Sequence, residues 1–127
     1  MEVKSFEDLE VWRMGRGLVT KVYTLTASLP ESETFGLIAQ IKRAALSVPA
    51  NIAEGFGRYH YMDKAKFYLN ARGSLYELKS HVLVAQDLRY LKRSQPVFDV
   101  LTLVDNLSVK LNNLIATTRK LKNKESQ

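Results

Sequence analysis

The chain has 127 residues, of which 46% are hydrophobic and 25% charged, a composition typical of a globular protein of one domain. It contains no cysteine, which excludes disulfide bonds and thiolate zinc sites. The first residues lack the apolar core of a signal peptide and no apolar run is long enough to span a bilayer, so we expect a cytoplasmic protein without a membrane partner.

The charge is positive overall and unevenly distributed. Nineteen Lys and Arg against thirteen Asp and Glu give a net charge of +6. Residues 1–34 carry four basic and six acidic side chains, whereas residues 35–91 carry eight and four, and residues 92–127 carry seven and three. This asymmetry favours a polyanionic partner such as nucleic acid, and the alternative is a lysine-rich surface that only keeps the protein soluble.

The first two helices are predicted at about residues 8–27 and 34–57. Ser5 and Asp8 have the spacing of a capping box at the start of the first helix. In both segments apolar residues recur every three or four positions, which places them on one helical face. Pro49 lies inside the second segment, where it removes one backbone hydrogen bond and is expected to bend the helix.

The third and fourth helices are predicted at about residues 63–91 and 95–122. Asp63 is a candidate N-cap of the third helix, and Ser94 of the fourth. The apolar residues of the fourth helix alternate in steps of three and four: Val97, Val100, Val104, Leu107, Leu111, Leu114, Thr118 and Leu121. No segment has the pattern of a strand and the connections are short, which predicts an all-α fold, one antiparallel up-down four-helix bundle.

A second apolar seam runs along the third helix. Leu69, Tyr76, Leu83 and Tyr90 recur every seven residues and lie well away from the middle of the core-facing stripe. Aromatic and leucine side chains on the far side of a helix indicate a subunit interface, so we predict self-association. The alternative is a wide core, from which the two tyrosine hydroxyls reach water.

Catalytic and metal sites are not indicated. The two histidines, His60 and His81, cannot supply the paired Glu-x-x-His motifs of a di-metal bundle, and Glu77 lies four residues before His81 rather than three. The sequence Gly-Phe-Gly at residues 55–57 lacks the Lys-Ser/Thr of a phosphate-binding P-loop. We therefore expect a protein without enzymatic activity, metal or cofactor.

Polar strips on the second and third helices are candidates for a structural role. Asn51 and Glu54 share one face of the second helix, and Ser74 and Glu77 share one face of the third. Such strips are usually solvated, but two of them can meet and be buried, with a glutamate pairing an arginine. We predict that these four side chains fix the register between helices or subunits.

The candidate contacts to nucleic acid are basic side chains. Arg72, Lys79 and Arg93 fall on one heptad line of the predicted third helix, about 10 Å apart, a spacing that can follow a phosphate backbone without reading its sequence. The alternative is a solvated charged face. The full predicted set is Lys42, Arg43, Arg58, Lys66, Arg72, Lys79 and Arg93. No recognition-helix pattern and no aromatic platform for stacked bases are present, so we predict non-specific binding.

Several motifs resemble those of a known bacterial family. They are FxxLxVW at residues 6–12, RAxxSVPANIAEG at residues 43–55 followed by Arg58, Phe67, AxGSLxEL at residues 71–78, and the Tyr90-Leu91 pair. Together they resemble the four-helix bundle proteins, also called S23 or 23S rRNA intervening-sequence proteins, over residues 6–121.

The resemblance implies a four-helix bundle that assembles into a ring-shaped homopentamer. Some members are encoded within intervening sequences of 23S rRNA genes. Others resemble the accessory variability protein of diversity-generating retroelements, which binds nucleic acid and partners a reverse transcriptase. We therefore predict a non-enzymatic homo-oligomer that binds RNA or DNA, and the alternative is an adaptor that docks another protein.

Overall fold

The computed structural model describes residues 2–125, with side chains described through Lys122. Within that part of the chain the regular structure is entirely helical, which confirms the all-α prediction. A 3₁₀ turn at Phe6–Asp8 precedes the first helix and another, Glu31–Glu33, precedes the second. The four α-helices are α1 (Glu10–Thr26), α2 (Leu37–Phe56), α3 (Tyr61–Asp87) and α4 (Gln95–Glu125).

The helices form a closed antiparallel bundle. Each packs against its neighbours in chain order, α4 packs back against α1, and the α2–α3 contact is the most extensive. Fully buried side chains from all four helices, such as Leu18, Ile52, Leu75 and Leu107, form one continuous core. Removing each of these from water stabilises the fold by roughly 1.5–3 kcal/mol.

Several helix termini differ from the prediction. The capping box of Ser5 and Asp8 forms, but it caps the 3₁₀ turn, and α1 begins only at Glu10 because Leu9 is extended. The N-cap of α3 is His60, so Asp63 lies in the first turn, where its charge suits the helix dipole. At the other end of the chain α4 continues to Glu125, past the predicted end.

Helix α3 ends at Asp87, four residues before the predicted end. Arg89 has a φ of 64°, and Tyr90 donates its backbone N–H to the carbonyl of Ala85 at 2.9 Å. This is the left-handed type of helix termination that glycine usually provides, and a non-glycine residue there costs on the order of 1 kcal/mol. Arg93 therefore lies in the α3–α4 connection, and the predicted row of three cations along α3 is wrong at its last position.

The α2–α3 contact depends on a glycine. A Cβ on Gly55 would lie 2.8 Å from Cε1 of Tyr68 and 3.0 Å from Cβ of Phe67. The Tyr68 ring is buried at this point, and its burial raises the pKa of its hydroxyl to about 12. Gly55 is the second-last residue of α2, which ends at Phe56 with Gly57 as C-cap, and its missing side chain is what allows α3 to approach.

Replacing Gly55 with alanine is expected to destabilise the bundle. The added methyl group would press on Tyr68 and on the β-carbon of Phe67, and overpacking of this kind typically costs about 1–3 kcal/mol. The matched control is Gly17→Ala in α1, because a Cβ at Gly17 meets nothing within 4 Å. That control should instead raise the free energy of unfolding by about 1 kcal/mol, through better helix propensity. Urea denaturation measures both, and equal effects of the two substitutions would contradict the close α2–α3 contact.

Candidate nucleic-acid interface

A chain of hydrogen bonds joins the polar faces of α2 and α3. The Asn51 amide donates to Oγ of Ser47 at 3.1 Å, and Ser47 is hydrogen-bonded to Ser74 on α3. Ser74 in turn donates to the backbone carbonyl of Asn70 at 3.1 Å. The two predicted strips therefore meet, and the positions of Asn51 and Ser74 fit the predicted structural role.

An ion pair continues the α2–α3 contact beyond Ser47, toward the start of α2 and the end of α3. Arg43 of α2 donates to the Glu77 carboxylate of α3, whose other neighbour is His81 at 3.4 Å. The Arg43 hydrogen bond holds the pKa of Glu77 below its usual value. Glu54 behaves differently, since it pairs at 2.7 Å with Arg58, which lies four residues later and just past the end of α2. Arg43, Arg58 and both glutamates are therefore engaged in local pairs.

Most of the remaining predicted cations have partners within the protein. Lys79 reaches across to Asp105 of α4 at 2.9 Å, and Arg72 donates to the side chain of Asn112 at the same distance. Lys42 lies over the ring of Tyr23, with 4.7 Å from Nζ to the ring centroid. These contacts tie α3 to α4 and α2 to α1.

Two ends of the α3–α4 pair carry basic side chains that make no ion pair with the described residues. One group surrounds the α3–α4 connection, and the other lies where α3 begins and α4 ends. The first group contains Lys21, Arg89, Lys92 and Arg93, and the second contains Lys66, Arg119 and Lys120. Of the predicted set, only Lys66 and Arg93 belong to these groups. The sequence shows the charges but not which of them are neutralised across a helix contact.

The predicted apolar seam on α3 is exposed only at its centre. Tyr76 is 53% exposed and Leu83 is 41% exposed, whereas Leu69 and Tyr90 are half-buried and pack against the core of their own bundle. The predicted seam does not include two exposed apolar side chains of α4, Phe98 and Val109, which are 63% and 59% exposed. Spacing of eleven residues puts those two on one helical face, a pattern that could have been found.

Two open clefts lie at the two ends of the bundle. The larger, of about 620 Å³, is lined by the end of α1 and the α3–α4 connection, including Leu25, Tyr90 and Asp99. The smaller, of about 540 Å³, lies between the first turns of α3 and the last turns of α4. Among the side chains of residues 2–122, no three His, Asp or Glu converge to hold a metal ion. Nor is any helix of that range long and apolar enough to cross a membrane.

Comparison with known proteins identifies the family. A family model described as 23S rRNA-intervening sequence protein matches residues 7–113. The chain belongs to this family. The fold agrees with a crystal structure of a protein of unknown function from the S23 ribosomal protein family of Bacteroides thetaiotaomicron, with a TM-score of 0.76 and 19% identity. That similarity covers 83% of this chain and 97% of the other.

Family membership confirms the resemblance that the motifs indicated, and the structural similarity supports the fold alone. No curated protein matches the chain. The distinctive residues 43–55 of the family resemblance include Arg43 and Ser47, which bond to α3, and Gly55, which permits the close contact. Asn51, in the same segment, bonds to Ser47 within α2. In this chain, those motif positions therefore have a structural explanation that requires no ligand.

Replacing Glu77 with glutamine is expected to destabilise the protein at neutral pH and to have a smaller effect near pH 3. A carboxyl whose pKa is lowered on folding adds stability above its unfolded pKa, and that stability is lost as the pH falls through the folded pKa. The Glu77 side chain is 36% exposed, so solvent screening limits the loss to about 0.5–1 kcal/mol.

Urea denaturation at the two pH values measures the effect. The matched control is Glu54→Gln, which breaks an exposed ion pair between Glu54 and the residue just past the end of α2, joins no second helix and should cost less. A pH-independent loss at Glu77 would contradict a stabilising ionised pair.

Proposed function

We propose that this protein is a non-enzymatic, cytoplasmic homo-oligomer that binds RNA or DNA without sequence specificity. The observation that carries the proposal is the clustering of uncompensated lysine and arginine side chains at both ends of α3–α4. Lys66 and Arg93 remain from the sequence-predicted set, and Lys92 and Arg119 join them. Arg43, Arg58 and Lys79 already neutralise carboxylates and contribute less.

The physical argument is counterion release. A phosphate that approaches a cation already paired with a carboxylate must compete with that pair, whereas a solvated lysine or arginine gives up only water and small ions. Because Lys92 and Arg93 are exposed side chains in the connection between two helices, they favour contacts to the phosphate backbone over contacts to base edges.

Binding is expected to depend steeply on salt. About four phosphate contacts to a single strand predict a loss of affinity of roughly 50-fold between 50 and 200 mM salt. The double substitution Lys92→Ala, Arg93→Ala should lower the slope of log Kd against log salt by about 1.4, since each contact contributes about 0.7. Fluorescence anisotropy with a labelled oligonucleotide measures the slope.

The matched control removes two cations from α1. Arg13 is hydrogen-bonded to the carbonyl of Glu7, and Arg16 lies over the ring of Trp12, so Arg13→Ala, Arg16→Ala removes the same charge from groups already engaged. The control should leave the slope unchanged. Equal effects of the two double variants, or no binding at low salt, would contradict the proposal.

Self-association is the second part of the proposal. Two helices expose large apolar side chains that have more than a third of their surface open to solvent: Tyr76 and Leu83 on α3, and Phe98 and Val109 on α4. Burying them against a second copy removes apolar surface from water, and the family resemblance implies a ring of five subunits. A ring would also bring the +6 charges of its subunits together.

Charge placed on this surface is expected to break the assembly. Phe98→Glu should convert the oligomer to a monomer, because the contact would bury an ionised carboxylate that has no basic residue three or four positions away in α4. Tyr59→Glu is the control, since Tyr59 is fully outside the seam and also exposed. Light scattering gives the molar mass of each variant. A monomeric wild type would contradict self-association and would favour the adaptor alternative, in which the same surface docks another protein, such as a reverse transcriptase.

A further inference from the structure

The smaller cleft has a lining that differs from the rest of the basic surface. Six of its residues come from the first turns of α3 and two from the last turns of α4: Tyr61, Met62, Ala65, Lys66, Leu69, Asn70, Arg119 and Lys122. Its volume of about 540 Å³ lies within the range of small-molecule sites. Aromatic and aliphatic side chains, one amide and basic groups therefore share one concave surface.

We infer that this cleft holds one unpaired nucleotide of a single-stranded nucleic acid. The inference rests on the proposed function and adds the class of ligand. The base occupies the apolar wall formed by Tyr61, Met62 and Leu69, and the flanking phosphates lie against Lys66 and Arg119.

The apolar wall suits a nucleobase. Every base has a flat π-face, and stacking on an aromatic side chain is favourable whichever base is presented. Tyr61 supplies the ring, while Met62 and Leu69 supply aliphatic surface that excludes water from the other parts of the base. A base inside a duplex is already stacked and paired, so the cleft selects an unpaired nucleotide in a single strand or a loop.

The amide of Asn70 completes the recognition of a base. Its side chain makes no hydrogen bond with the described residues, and only its backbone carbonyl is engaged, by Ser74. An amide offers both donors and an acceptor, which match the polar edge of any base. Asn70 therefore supplies polar contact beside the apolar wall.

The charges distinguish the two clefts. The smaller cleft is lined by three basic side chains and no carboxylate, whereas the lining of the larger cleft combines two lysines with the carboxylate of Asp99. A carboxylate repels a phosphate, and an arginine can both neutralise the phosphate and stack on the base through its guanidinium plane. The smaller cleft is thus the better site for a nucleotide within a strand.

The test compares three labelled oligonucleotides by fluorescence anisotropy at low salt: a single strand, the same strand with abasic residues, and the perfect duplex. The wild-type oligomer should bind the single strand about tenfold more tightly than the abasic strand or the duplex. Tyr61→Ala should remove this difference without changing the salt slope, because the phosphate contacts remain. Lys66→Ala should weaken the binding of all three oligonucleotides and leave the preference for the single strand unchanged.

Two controls keep the test decisive. Asn70→Trp fills the cleft from an exposed position and should also abolish the preference for the single strand over the abasic strand. Phe35→Ala removes an exposed aromatic side chain far from the cleft and should preserve that preference. Light scattering and circular dichroism first confirm that each variant keeps the wild-type mass and helicity. Equal binding of normal and abasic strands by the wild type would overturn the nucleotide site and leave the proposed function standing. Failure to bind any ligand at low salt would overturn the proposed function itself.

Discussion

The close approach of α2 to α3 is the constraint on which the rest of the bundle depends. It combines a position where no side chain fits, at Gly55 against Tyr68, with polar side chains that bond across the contact, Ser47 to Ser74 and Arg43 to Glu77. Apolar packing alone tolerates small slips between helices, whereas a directional hydrogen-bond chain does not. The contact therefore sets the register of α3, and α3 carries both the exposed apolar seam and one wall of the smaller cleft.

The role of the basic residues follows from that register. Once α3 is fixed, Lys79 faces the carboxylate of Asp105, which neutralises it, while Arg72 is held by the neutral side chain of Asn112 and keeps its charge. Positive charge remains at the two ends, and exposed apolar surface remains between them. A surface divided in this way can self-associate through its centre while its ends stay accessible to a polyanion, which is the arrangement that the proposed function requires.

The sequence predicted the helices well because their periodicity is local, but it could not predict contacts that depend on how helices are paired. The strict alternation in α4 placed Leu114 on the core stripe, yet Ile115 is buried instead, since a 3.5-residue repeat drifts around a straight helix. Arg93 was placed on α3 because nothing in the sequence signals a left-handed arginine. The predicted cations could not be sorted into paired and unpaired, because their partners lie 26 to 40 residues away, as in Lys79–Asp105 and Arg72–Asn112.

The left-handed residue at the end of α3 has a consequence for the charge near the α3–α4 connection. Glycine would adopt the backbone conformation of Arg89 at lower conformational cost, and it would carry no side chain. With arginine there, the chain accepts a strained backbone and keeps a guanidinium beside Lys92 and Arg93. The backbone strain therefore coincides with a cationic side chain, and a glycine at this position would relieve the strain and remove one positive charge from the connection at the same time.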